Sequence, residues 1–286
     1  MLCLFLLAGA ASAQSGQIAG PRPLRDAAER LQSAWGRAVT YEEPLWRHPS
    51  DASMEGDPLR LNVGPRFRSL ILPAAALQSR GRAEDAAHLK GLVDAFNAGN
   101  APLAFGVLET AWGLHIVPVR SKDARGAGAP APSLLETHVT ISSQRRWPML
   151  HVAAIAQAVS SSSGVRVESS SGTMGFGVNQ LFLQEQSSPT IEWGAPGPMK
   201  ARDALLDLLS KSATTLSWQF NCQPASPNTT EFCVLSVDPI RVQTRDSTGK
   251  VSRTVLAFDR CVRCKPLGPP PPKPNPAKPE PNRSLL

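Results

Sequence analysis

Cys261-Val262-Arg263-Cys264 is the one place in this 286-residue chain where two nucleophilic side chains stand at a spacing with its own chemistry. A C-x-x-C pair beside cations, here Arg260, Arg263 and Lys265, can hold one thiol partly ionised and exchange disulfides. Redox pairs of this kind open a helix after a strand, whereas here a proline run follows at once and offers no helix dipole. As a zinc half-site the pair needs two further ligands, and Cys222 and Cys233 stand wider apart than a zinc knuckle allows. With an oxidising compartment as the main weight, the pair reads as a structural or adventitious disulfide. Thiol-disulfide exchange or metal handling through Cys261 and Cys264 is kept as the alternative function.

Other chemistries lack their partners. His48, His88, His115, His138 and His151 show neither H-x-x-x-H nor H-E-x-x-H spacing, so no metal site or metal cofactor is expected. His115 alternates with Leu114 and Ile116, which predicts that it points outward from a strand. Ser247-Thr248-Gly249-Lys250 reads S-x-x-K without the S-D-N and K-T-G elements of acyl-transferring serine enzymes, and Asp246 to Lys250 reads better as a turn between two strands. No G-x-S-x-G, P-loop or dinucleotide fingerprint occurs, and Gly172 to Gly177 lacks the lysine and helix that would cradle a phosphate. The expectation is a chain that is not an enzyme and takes no cofactor. Trp46, Trp147 and Trp193 lie beside Pro or Gly in connecting segments and supply a third reading, a cell-wall glycan binder. Trp35 and Trp218 fall on core faces.

The elements that must position these residues occur twice. Leu24, Ala27, Ala28, Leu31 and Trp35 form a helical stripe that stops at Gly36 and leads to a strand at Val39 and Tyr41. A second helix, about Ala83 to Ala98, carries Ala86, Leu89, Val93 and Phe96 inward. The next stretch suits either period, and Pro102 and Gly106 tip it toward strands at Leu103 to Glu109 and Leu114 to Val119. In the second copy, Pro148 opens a helix with Val152, Ile155, Ala156 and Val159, Gly164 closes it, and Val165 and Val167 start a strand. Ala201, Ala204, Leu205, Leu208 and Leu209 make the next stripe. Leu216, Trp218 and Phe220 alternate, as do Cys233, Leu235 and Val237, which predicts an antiparallel pair. Four cysteines outside the N-terminal run allow three pairings, and Cys222 with Cys233 is preferred because it closes the loop of that hairpin.

This order, with Pro23-Leu24-Arg25-Asp26-Ala27-Ala28 and Ala201-Arg202-Asp203-Ala204-Leu205-Leu206-Asp207-Leu208-Leu209, resembles the short N-terminal domain of secretins and TonB-dependent receptors, in two tandem divergent copies. The resemblance implies a small periplasmic α/β module that docks partner proteins and has no catalytic residues. It leaves out residues 42 to 82 and 168 to 197 and everything beyond about Val242. No barrel or channel sequence follows, so the resemblance implies that any channel is a separate chain.

An apolar run ending Ala11-Ser12-Ala13 reads as a signal peptide over 1–13, with Gln14 as the mature start, although its positive n-region is missing. The run falls well short of the roughly 20 residues a bilayer span needs. The expected organisation is α+β: a first module at 20–120, an Ala/Gly/Pro-rich linker at 121–133, a second module at 134–242 and a basic, Pro-rich, disordered tail at 243–286. The formal net charge of +7 lies wholly in residues 241–286, which hold ten Lys or Arg against three acids. Such an extended arm, with Lys273 and Lys278 among its prolines and Arg260, Arg263 and Lys265 before them, suits anionic lipid or wall polymer, or serves only as a spacer. With one aromatic, Phe258, it does not suit nucleic acid. Together these features predict a periplasmic or secreted docking or assembly component whose partner is an envelope or outer-membrane protein.

Overall fold

The computed structural model describes residues 16–48, 67–170, 190–212, 215–225, 230–245 and 251–255. The signal-peptide segment, the Gly172–Gly177 stretch, the Asp246–Lys250 turn, Cys261, Cys264 and the cations Arg260, Arg263, Lys265, Lys273 and Lys278 lie outside them.

The fold is α+β and repeats the order of its sequence. The first copy runs β1 (Gly16–Ile18), α1 (Pro23–Trp35), β2 (Ala38–Glu42), β3 (Leu70–Leu72), α2 (Arg82–Gly99), β4 (Ala104–Glu109) and β5 (Gly113–Lys122). The second runs β7 (His138–Arg146), α3 (Pro148–Ser163), β8 (Arg166–Ser170), β9 (Ile191–Lys200), α4 (Ala201–Leu209), β10 (Leu216–Gln223) and β11 (Phe232–Pro239). The first helix of each copy has proline in its opening turn and ends on a glycine at positive φ, Gly36 at 61° and Gly164 at 74°. The residue four before each glycine then reaches the next strand: the Val39 amide donates to Gln32 Oε1, and the Val167 amide to Ser160 Oγ.

Pairing repeats as well. β1 pairs antiparallel with β3, and β7 with β9, forming two-stranded ribbons. In the first copy β5 lies between β4, antiparallel, and β2, parallel; in the second, β11 lies between β10, antiparallel, and β8, parallel. The two triplets join edge to edge, β2 against β10 in parallel, in the order β4-β5-β2-β10-β11-β8. The segment 121–133, read as a linker, continues β5 and returns along it as β6 (Gly128–Pro130). Beyond β11, β12 (Arg241–Arg245) and β13 (Val251–Val255) form a further hairpin within the stretch read as tail from residue 243.

The joint changes which face is apolar. Val39, Tyr41, Leu114, Ile116 and Phe105 face the first copy's helices, with Phe96 of α2 5.9 Å from Phe105. In the second copy the buried face carries Trp218, Phe220, Cys222, Cys233, Leu235 and Val237. The register sets Tyr41 beside Gln219 and Glu42 beside Phe220, so the apolar face of β2 continues as the polar face of β10. Direction, order and face together place the second copy half a turn about an axis across the sheet, three strands along.

Two expectations are corrected. His115 points inward and is fully buried, because the second copy covers the face of β5 that one module alone would leave to water. Trp46 and Trp193 are also buried: Trp46 packs 5.8 Å from Phe67, and the Trp193 indole donates to Asp207 at 2.8 Å.

Candidate functional site

Where the apolar faces switch sides, polar groups are forced inside. Glu42, on the face covered by the second copy, receives Arg202 of α4 through two bonds, Nε to Oε1 at 2.8 Å and Nη2 to Oε2 at 2.7 Å. Arg202 also donates to Glu136, which binds Lys200 at 2.7 Å. On the opposite face Arg22 pairs with Glu43 at 2.6 Å, and Glu43 Oε2 accepts the Cys222 amide at 2.7 Å. The Trp46 indole donates to the Cys222 carbonyl at 3.0 Å. Burial opposes the charge of Arg202, but its bonds with Glu42 and Glu136 outweigh it and hold the guanidinium's pKa above its ordinary value. Burial, then the neighbouring Glu43 charge, raises the Tyr41 phenol well above its usual range.

One constellation in this interior has the ingredients of a hydroxyl–imidazole relay. Thr40 Oγ1 lies 2.9 Å from His115 Nδ1, and Thr110 Oγ1 lies 2.7 Å from Nε2. The ring stacks on Trp218 at 4.9 Å and is wholly buried. Burial, with a smaller push from Arg202, lowers its pKa to about 3. Both nitrogens are committed to hydroxyls, so the group ties β5 to β2.

The sequence-named residues separate. Cys222 and Cys233 face each other in register across β10 and β11, with their sulfurs at bonding distance, 2.09 Å. Trp46 and Trp193 cannot stack on a sugar from inside the core, and Trp147 is half-buried at the start of α3. Among the described residues no three of His, Cys, Asp or Glu gather as a metal site, and no helix is long and apolar enough to cross a membrane.

An open groove of about 500 Å³ lies between β7 and α3. The strand contributes His138, Thr140, Ser142, Gln144 and Arg146 to its lining. The helix contributes His151, Ala154, Gln157, Ala158, Ser161 and Ser162, one face at helical spacing. Ile141 lines it too, so Thr140, Ile141 and Ser142 are consecutive lining residues, at the irregular stretch of the β7–β9 pairing. His151 is held by its Nε2, which donates to the Ile191 carbonyl at 3.1 Å, and its ring sits edge-on to Trp193 at 5.3 Å. Among the described residues no carboxylate lines the groove. The sequence signal was the polar alternation 138, 140, 142, 144, 146, which had no meaning until a helix stood opposite it.

No family model matches the chain, and neither a curated protein nor a solved structure matches it.

Proposed function

We propose that this protein is a secreted or periplasmic, non-enzymatic docking component of a cell envelope. It resembles, in two joined copies, the short N-terminal modules of secretins and TonB-dependent receptors. Its partner is an envelope or outer-membrane protein. The observation that carries this reading is the β7–α3 groove: an accessible strand edge and helix face lined by hydrogen-bonding groups, beside an interior whose ionisable clusters are paired and closed. Strand edges beside helices recruit extended partner segments. The A-x-A signature at Ala11–Ala13 and the cross-strand cystine both suit an oxidising compartment.

In-cell crosslinking of the full chain tests this. One discrete envelope-protein adduct is expected, unchanged in the Cys261→Ser, Cys264→Ser double variant, with a mature chain starting at Gln14. Loss of the adduct in that variant, together with disulfide exchange by the wild type, would replace docking with the thiol reading. A chain retaining residues 1–13 would remove the compartment argument.

A further inference from the structure

Resting on the docking reading, we propose that the β7–α3 groove is a peptide slot that takes a short, extended, acidic segment of the partner as a third strand beside β7. Three observations converge. First, among the described residues β7 pairs with β9 alone, along one edge. Its pairing there is irregular between Val139 and Gln144, and Thr140, Ile141 and Ser142 in that stretch line the groove. An unpaired edge offers a row of amides and carbonyls to an incoming strand.

Second, the far wall is built to leave room. Ala154, Ala158, Ser161 and Ser162 are all small, so α3 approaches β7 without filling the gap. A volume of about 500 Å³ falls within the range of specific ligand sites and holds roughly four residues of extended peptide. A strand laid there would direct alternate side chains at His138, Gln144, Arg146 and Gln157.

Third, the lining selects charge. Among the described residues it contains one arginine, two histidines, two amides and four hydroxyls, and no carboxylate. Arg146 forms no ion pair among the described residues, unlike its neighbour Arg145, which meets Glu192 at 3.7 Å. An incoming carboxylate finds an unopposed guanidinium able to bind it through two parallel hydrogen bonds.

The test titrates full-length protein with a fluorescein-labelled hexapeptide of alternating valine and glutamate. Its controls are an alternating valine–lysine peptide, an acidic peptide N-methylated on alternate amides, and an oligogalacturonate. Saturable binding of the first peptide is expected, with at least tenfold weaker binding of both peptide controls. Arg146→Glu and, independently, Ser161→Trp, which fills the slot from an exposed position, should each weaken binding about tenfold while thermal melting stays unchanged. Binding that is absent, or untouched by both variants, overturns the slot; equal oligogalacturonate binding lost in the same variants reassigns it to a glycan. If the crosslinked adduct survives Ser161→Trp, the slot fails while docking stands. If the wild type gives no adduct, docking itself fails.

Discussion

His115 shows how a residue's setting becomes a property of the whole chain. Its folded pKa of about 3 lies below the ordinary 6.5, so between those values the unfolded chain binds a proton that the folded chain refuses. The histidine therefore costs nothing above pH 6.5. As pH falls below 6.5 it removes stability at up to about 1.4 kcal/mol per pH unit, until about pH 3. His115→Gln removes that titration. Urea melts at pH 6.5 and 5.0 should show the wild type losing roughly 2 kcal/mol more than the variant; parallel losses would mean that the imidazole is accessible to protons in the folded state. The alternation of Leu114, His115 and Ile116 placed the ring on the correct strand but on a face read as open. That face is closed by Trp218, a hundred residues away in sequence, and nothing local announces it.

Among the elements, those legible from sequence are those with an unbroken period. The stripes of α1, α3 and α4 and the alternation of β10 and β11 each fill one face without interruption. β9 was not legible, because Gly194, Pro196, Gly197 and Pro198 interrupt its alternation. Gly194 is nevertheless required: a Cβ there would lie 2.5 Å from the Ser143 backbone, where β9 crosses a register shift in β7. The groove was equally hidden, since it needs β7 and α3 in place together. The joint between β2 and β10 carries an elemental prediction. Arg202→Met leaves the fully buried Glu42 without its partner, and removing one member of a buried pair costs about 3–5 kcal/mol. The double variant Arg202→Met, Glu42→Leu should recover much of that loss. A single-variant loss under about 1 kcal/mol in urea melting would show that the pair is not holding the joint.

At the scale of the molecule, the half-turn between copies makes each module's polar face the other's neighbour. The buried apolar residues of both copies form one continuous core, and Glu42 of the first copy meets its buried cation, Arg202, only when the second is present. Calorimetry of the full chain should therefore show one unfolding transition, and residues 1–133 alone should show no cooperative melt. Two separate transitions would mean independent domains. The same joint can be described in terms of load. A pull on the chain beyond Val255 meets β13 and then β12 before it reaches β11 and opens the β10–β11 hairpin from its Leu216–Pro239 end, one pair at a time. Opening stops at Cys222, whose sulfur is bonded to Cys233 and whose backbone is gripped by Arg22, Glu43 and Trp46 of the first copy. One residue is thus both the covalent stop of the second copy and its rivet to the first, so tension that has opened the hairpin this far passes to the body of the protein before the last pair, Gln223 with Phe232, can part.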